Sequence, residues 1–399
     1  AVQPTPPAVQ PTPPAVQPTP PASAPTPPPA PAPPEEPVQP RKELICTVGD
    51  VAAEYKMYPR DGLCHYLFYT HVFVYANTTI VKVHSTSITA SFRVFQEVMA
   101  RSRKTQGGLS FDAAATNKTY AKRVRLDLSK LAKKKIIHYG SLNVFEVADK
   151  IKDRVMEVIE TMKEFKKIQK NDPNKRIVVA IGGVEYSSAD AWAAFKESIM
   201  MAAGKDTGID TVIAISSTNQ LLTDQKAGNC IVVPPNTIHS SNMNFPTLAR
   251  NLELVNEANQ FMYGNRDAVV GLSLEMGAMM YTFSSDQELS PATAYKECKY
   301  ATLVTLDMGC SSNPQQIVRD TVMGFGQETR RFVIVHDNKT TLERKFKYVL
   351  ARHPRKRFAW LYFDVHMADL VQSCGLRNPF EFLQTLRTTF GIHDKPDET

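Results

Sequence analysis

The 399-residue chain has no uninterrupted apolar run of the roughly 20 residues that a helix needs to cross a bilayer. It has no Cys-x-x-Cys pair, and its nine histidines show no metal-ligand spacing. That pattern points away from zinc, and no metal or cofactor is expected. No Gly-x-Ser-x-Gly elbow occurs, so a serine hydrolase of that type is set aside. Gly182-Gly183 lacks the Lys-Ser/Thr tail of a phosphate loop. Tryptophan is scarce: Trp192 and Trp360 are the only two, so aromatic platforms are in short supply.

Proline is abundant at one end. Ala-Val-Gln-Pro-Thr-Pro-Pro occurs three times in succession, from Ala1, Ala8 and Ala15, and Ala22–Pro40 is almost entirely Pro, Ala, Thr and Glu. Proline fixes its own backbone and donates no hydrogen bond, and the segment has little apolar surface to offset ordering entropy. Residues 1–40 therefore read as a disordered Pro-rich stalk of polyproline-II character, rising about 3 Å per residue. Thr5, Thr12, Thr19 and Thr26, each flanked by Pro, suit either O-linked sugar or a bare spacer. Residues 42–399 remain for a globular domain, a comfortable length for a barrel fold of about 250 to 400 residues.

Six cysteines, Cys46, Cys64, Cys230, Cys298, Cys310 and Cys374, are an even number that suits disulfides. Sequons stand at Asn77, Asn117 and Asn338. The chain begins at Ala1 rather than Met, so a processed protein with its signal peptide removed is expected. Together with the stalk, these features point to a secreted, extracellular glycoprotein.

Strand and helix patterns alternate through the globular part, the signature of a parallel sheet wrapped by helices. Val144, Val147, Ile151, Val155, Val158, Ile159, Met162 and Phe165 fall at helical spacing, with Asn143 and Glu146 as a capping signal. Arg176–Gly183 reads as a buried strand, Ser188 precedes a helix over about 189–203, and Asp210–Ile215 is the next strand. Cys230–Val233, Ala268–Leu274, 300–306, 331–335 and 358–364 read as strands. Helices are expected from Pro246 to about Met262, from Pro314, over 341–351, and from Pro379 to Phe390. The stretch 85–125 gives no clear helix.

One pair of strands has a distinctive outline. Val179-Ala180-Ile181-Gly182-Gly183 is followed, after a short helix, by Gly208-Ile209-Asp210-Thr211-Val212-Ile213-Ala214-Ile215-Ser216-Ser217-Thr218. This resembles glycoside hydrolase family 18, the chitinases and chitinase-like lectins. There a strand ending in Ser-x-Gly-Gly is followed, after one helix, by Asp-Gly-x-Asp-x-Asp-x-Glu, whose Glu is the general acid. Further landmarks are Leu44-Ile45-Cys46, similar to the first barrel strand, and Leu63–Phe68, similar to the second. Val304-Thr305-Leu306-Asp307-Met308 resembles a Met-Thr-Tyr-Asp strand. His336-Asp337-Asn338-Lys339-Thr340-Thr341-Leu342-Glu343-Arg344-Lys345 resembles the Tyr-Asp-Asn-x-x-Ser-x-x-x-Lys run that opens the final helix, and Phe358–Asp364 follows as a strand ending in Asp. A vaguer likeness is to divergent secreted chitinase-like proteins of arthropods, many of which lose the catalytic Glu.

The resemblance implies a (β/α)8 TIM barrel and a Cys46–Cys64 bridge, as the family joins those positions. The other four cysteines allow three pairings, with a lean to Cys298–Cys374 and Cys230–Cys310. Laid over the motif, the first Asp falls on Asp210, while Ile213, Ile215 and Ser217 stand where two Asp and the Glu would be. Family 18 chemistry uses the sugar's own N-acetyl group, oriented by an Asp, with the Glu as proton donor; alternate spacing points these side chains into the barrel mouth. A serine hydroxyl is far too weak an acid for that task, so the resemblance implies a pseudo-glycosidase.

Glu185, Asp307 and Asp364 are the carboxylates that a relocated acid would draw on. Tyr186, Trp192, Asp307, Trp360 and Asp364 are the ligand-binding candidates, although the family's strand-end Trp would fall on Leu361, leaving Trp360 on the other side. Two basic clusters remain. One comprises Lys122, Arg123, Arg125, Lys130, Lys133, Lys134 and Lys135, the other Arg352, Arg355, Lys356 and Arg357. With a net charge of +7, they suit a polyanionic glycan or a merely solvated surface. Expected partners are chitin-type or other glycans, or extracellular proteins for which the barrel is a scaffold and the stalk a spacer, and not nucleic acid.

Overall fold

Segments rich in Val, Ile, Leu and Phe form the strands, and segments with apolar residues three and four apart form the helices. A computed structural model describes residues 41–75, 79–82, 89–183, 188–217, 230–240, 245–261, 268–283, 289–290, 293–311, 315–318, 320–326, 332–353 and 357–392. The chain runs β1 (Arg41–Val48), β2 (Tyr66–Tyr75), β3 (Thr79–Lys82), β4 (Gln106–Phe111), β5 (Ile136–Glu146), β6 (Ile177–Gly183), β7 (Thr211–Ala214) and β8 (Val269–Glu275). There follow β9 (Ala278–Thr282), β10 (Tyr300–Val304), β11 (Gln315–Val318), β12 (Thr321–Gly326), β13 (Phe332–His336) and β14 (Arg357–Phe363).

The order β1-β14-β8-β7-β6-β5-β4-β2 is parallel throughout and closes through β1–β2, giving a (β/α)8 barrel. β3 returns antiparallel to β2. Between the last two barrel strands is inserted a five-stranded antiparallel sheet of order β10-β9-β13-β12-β11.

The outer helices seat one apolar face each on the barrel. In the helix Ile151–Ile168 the buried face is Ile151, Val155, Val158, Ile159, Met162 and Phe165. Burying each such side chain contributes about 1.5–3 kcal/mol, and Phe165 stacks on Phe111 of β4 at 4.4 Å between ring centroids. Ser188 caps the helix Ala189–Ala202 by accepting from the Ala191 amide, as expected. Inside the barrel, Ile45, Tyr66, Phe68, Leu142, Phe145, Val178, Ala180, Ile213, Ile215, Val269, Ala359, Leu361 and Phe363 form a separate apolar plug. Gly271 permits the closeness of β8 and β14, since a Cβ there would stand 1.8 Å from the Ala359 carbonyl oxygen.

Several expectations are corrected. Two barrel strands, β4 and β5, lie in the stretch read as an unclear helix region and as the start of a helix. The residues 136–146 are nearly all buried on both faces, so their apolar spacing is that of a covered strand, and the helix begins at Ile151 instead. Asn143 is no cap: its side chain accepts from the Ala113 amide and donates to Asp112. Cys230–Val233 is not a ladder strand, Ile231 making an isolated bridge to Glu297. The segments 300–306 and 331–335 contribute β10 and β13 to the inserted sheet rather than to the barrel. Gln315–Val318 is a strand where a helix from Pro314 is expected, its pairing with β12 overriding local preference. Cys46–Cys64 is bridged as expected, but the other pairs are Cys230–Cys298 and Cys310–Cys374. The first of these joins two segments that also exchange a backbone hydrogen bond, from the Cys298 amide to the Cys230 carbonyl at 2.8 Å.

Candidate functional site

In (β/α)8 barrels the functional face is the one at the C-terminal ends of the strands. The opposite end is closed by a polar layer. Glu43 accepts from Thr211 Oγ1 at 3.1 Å and lies 3.7 Å from Arg176 Nε, which donates to the Tyr66 hydroxyl at 3.3 Å. Above it the apolar plug fills the lumen, so the barrel is a packed core with one usable mouth.

Register fixes which side chains face that mouth. On β8 and β14, Gly271, Ser273 and Glu275 pair with Ala359, Leu361 and Phe363, so all six share the inner face. Beyond the end of β7, Ile215 and Ser217 continue the inward row of Ile213. Ser217 is fully buried, and its hydroxyl sits 3.0 Å from the Ser273 hydroxyl, whose oxygen also accepts from the Ser216 and Ser217 amides. Asn251, from the helix Leu248–Phe261, donates to the Ile215 carbonyl at 2.7 Å. The tip of β7 is therefore stitched to its neighbours.

Glu275 ends β8 and is 2 % exposed. Asn236 holds it by both main-chain groups, accepting from its amide at 2.7 Å and donating to its carbonyl at 3.0 Å. The same Asn236 amide donates to Asp337 at 3.0 Å. Asp337 also accepts from Thr341 Oγ1 at 2.6 Å and is ion-paired with Lys345, which is fully buried. The run His336–Lys345 thus opens the helix Lys339–Arg352 with a capping box at Asn338 and ties it to the mouth. Burial pushes the Tyr362 hydroxyl well above its ordinary range, reinforced by Asp337 and Glu275. Burial lowers the His336 imidazole, against the opposing pull of the Asp337 carbonyl.

Asp364 follows β14 in the left-handed conformation, with φ +50°. Its amide donates to Thr47 Oγ1 at 2.8 Å, its carboxylate lies 4.0 Å from His366 Nδ1, and that nitrogen accepts from the Gly49 amide at 3.3 Å. This rim cluster is on the mouth face.

The structure thus gathers Ile213, Ile215, Ser217 and Asp364 in the lumen or at the mouth. It does not gather the rest. Asp210 precedes β7, at the opposite end of the barrel, roughly 20 Å along the strand from Ser217. It pairs with Lys166 at 2.8 Å and accepts from the Ile177 amide at 2.6 Å, a structural clamp. Asp307 is in the helix Leu306–Ser311 beyond β10, not at a barrel strand end. Trp192 is on the outer helix Ala189–Ala202, its ring against Phe195 and under the Arg250 guanidinium at 4.2 Å. Trp360 is 1 % exposed on the outer side of β14, against Phe346, Phe358 and Phe390, while Leu361 faces the lumen. Neither tryptophan offers a ring face at the mouth. Glu185, Tyr186 and Asn77 lie outside the described residues. Asn117 is exposed and caps the helix Lys118–Arg123, and Asn338 is half-buried. No cluster of three or more metal-ligating side chains occurs among the described residues.

One residue escaped sequence reasoning. In the pattern Asp-Gly-x-Asp-x-Asp-x-Glu the Gly and Glu are six apart, and Gly140 and Glu146 of β5 have that spacing. Glu146 ends a barrel strand, but a bulge intervenes: Ser141 pairs with Val179 and Val144 with Ile181, so one extra residue is accommodated between them. The faces swap there. Phe145 turns into the lumen, while Glu146 turns outward, 3.9 Å from Arg154 of the helix Ile151–Ile168.

No protein-family model matches the sequence, and no curated protein does. Solved structures do. The second catalytic domain of the Group II chitinase of Ostrinia furnacalis superposes with a TM-score of 0.60 at 11% identity, over 89% of this chain and 98% of that one. Human YKL-39, described as a pseudo-chitinase with retained chitooligosaccharide binding, gives 0.60 at 10% identity over 88% and 99%. A chitinase-like agglutinin of Robinia pseudoacacia gives 0.55 at 13% identity over 87% and 99%. These superpositions, over a closed parallel barrel of eight strands, show that the chain has the fold of the family 18 chitinases and chitinase-like proteins.

Proposed function

We propose that this is a secreted, catalytically inactive chitinase-like protein that binds glycan at the barrel mouth. The observation that carries the reading is the set of strand ends: among the described residues, the one partly exposed carboxylate placed at the mouth, Asp364, lies 4.0 Å from His366 Nδ1 with no second acid described beside it. Glu146 faces a helix, Glu275 is buried, and Ser217 is sealed against Ser273. Glycoside hydrolysis by general acid needs a carboxyl group within reach of the leaving oxygen. Retained chitooligosaccharide binding in a pseudo-chitinase of the same fold supports binding without cleavage. Three disulfides support an extracellular setting, and residues 1–40 are read as the stalk of a barrel domain at 42–399.

A second reading, a protein-binding extracellular scaffold, is favoured by the positions of Trp192 and Trp360, which leave no tryptophan platform at the mouth. A hydrolase with a relocated acid has least support: Asp307 is not at a barrel strand end, and Asp364, which follows β14, is held by its amide on Thr47 Oγ1 with its carboxylate beside His366. Isothermal titration with N-acetylglucosamine oligomers, beside turnover of a chromogenic chitobioside, separates the three. Saturable heat without turnover is expected. No heat favours the scaffold, and turnover overturns the inactive reading.

A further inference from the structure

All eight barrel strands run parallel, so the turns that lead into them open on one face, opposite the mouth. That face is basic. Residues 118–135 hold eight Lys and Arg against one Asp, a net of +7 that equals the formal charge of the whole chain. Their apolar side, Ala121, Val124, Leu128 and Leu131, is buried, and the basic residues among them are exposed. The segment ends in Lys133, Lys134 and Lys135, which lead into β5. Arg103 and Lys104 lead into β4, the neighbouring strand, and are also exposed.

The two turns are joined. The Gly107 amide donates to the Lys135 carbonyl at 2.9 Å, and the Lys135 amine donates to the Ser102 carbonyl. Around the same rim Arg41 and Arg357 start β1 and β14 as direct register partners. Two acids of this rim are held by neighbouring groups. Asp61 accepts from the Arg103, Lys104 and Thr105 amides; burial raises its pKa, but these bonds outweigh burial and hold it below its ordinary value. Asp210 clamps Lys166 and the Ile177 amide. Lys130 pairs with Asp127, and Lys118 and Lys122 lie near Glu160 and Glu164 of the neighbouring helix, but the exposed cations of 118–135, Arg103 and Lys104 outnumber these acids, and the net positive field attracts polyanions.

We propose that this face, distinct from the glycan mouth and resting only on the extracellular setting of the reading above, binds a sulfated polysaccharide. Three disulfides favour a compartment where such polymers, rather than nucleic acids, are the available polyanions. The experiment uses the full chain and heparin as probe in a salt series. Hyaluronan, single-stranded DNA and phosphatidylserine vesicles are the other arms. The test variant is Arg103→Gln/Lys133→Gln/Lys134→Gln; the control is Lys56→Gln/Lys150→Gln, exposed residues in the connections that follow β1 and β5 on the other face. The expected result is heparin binding that weakens with salt, falls by roughly tenfold or more in the test variant, and is unchanged in the control. A thermal melt equal to that of the parent shows that the test variant is folded. Should it melt early, Lys133→Gln/Lys134→Gln alone is used, with an expected loss of severalfold. Equal heparin binding by parent and test variant overturns the proposal. So does binding of hyaluronan, DNA or vesicles as tight as that of heparin.

Discussion

Lys345 is the most informative single position to perturb. Its ammonium is fully buried, 0 % exposed, and its carboxylate partner Asp337 is 4 % exposed. Breaking such a pair leaves one uncompensated charge in a low-dielectric site, at about 3–5 kcal/mol. The two directions differ. Lys345→Met leaves Asp337 still accepting from Thr341 Oγ1 and Asn236 Nδ2, so its cost belongs near the lower end, about 3 kcal/mol. Asp337→Asn removes the countercharge of a fully buried ammonium, and its cost belongs near the upper end, about 5 kcal/mol. The double variant replaces an ion pair by neutral groups and should cost less than the sum by about 2–3 kcal/mol. At roughly 2.1 cal/mol/K per residue over about 350 residues, each kcal/mol lowers Tm by about 1.4 °C, so the single variants should melt about 4–7 °C early. The assay is urea unfolding of all four proteins at pH 7 with calorimetry beside it. Single costs below about 1 kcal/mol that simply add in the double variant would refute the claim that burial, rather than proximity, gives this pair its strength.

Three further outcomes are expected. The neutral His336 ring is favoured by burial, so stability is full above about pH 6.5, where the unfolded ring is also neutral, and is lost as pH falls from there through the lower pKa of the folded ring; urea midpoints at pH 7.5 and 5 should diverge in the parent and less so in His336→Gln. Peptide mapping without reduction should recover Cys230–Cys298 and Cys310–Cys374. Alanine replacement of either pair, spanning 68 and 64 residues, should cost about 4 kcal/mol, against about 3 for Cys46–Cys64, which spans 18. Asp210→Asn should lower stability by about 2–4 kcal/mol through loss of the Lys166 pair, yet leave oligosaccharide binding at the mouth unchanged; altered binding would mean that Asp210 acts at the mouth after all.

The fold class was legible because alternation of strand and helix survives divergence. The landmarks at the two ends, Cys46–Cys64 and His336–Lys345, were legible because a disulfide and a buried ion pair demand particular residues at particular spacings. The middle was less so. β5 is covered on both faces, so its apolar residues show no period of two and merge with those of the following helix. The inserted sheet hid for a different reason: a short buried strand such as Phe332–His336 reads the same in an antiparallel insertion as in a barrel. The remaining disulfides followed the insertion's topology, which spacing does not encode.

The site was harder still, and β5 shows why. A motif of alternate carboxylates presumes an unbroken strand, in which every second residue faces the lumen. Had Gly140 and Glu146 been chosen as the anchors, that rule would have put Leu142, Val144 and Glu146 inside. The bulge between Ser141 and Val144 breaks the count: Leu142 and Phe145 face in, and Val144 joins the core under the helices. Phe145 then takes the space over β6, where a Cβ on Gly182 would stand 2.4 Å from its ring, and Ile215 is the next neighbour of that same position, at 3.3 Å. A phenyl ring and an isoleucine side chain together occupy the mouth side of this strand pair. A carboxylate placed at Ser217 would therefore be buried and unpaired among them, which is costly. On the inactive reading proposed above, register and packing across β5, β6 and β7 are what keep a carboxylate from the sugar, and Ser217→Glu is expected to give no turnover of a chromogenic chitobioside; turnover by that variant would refute the argument.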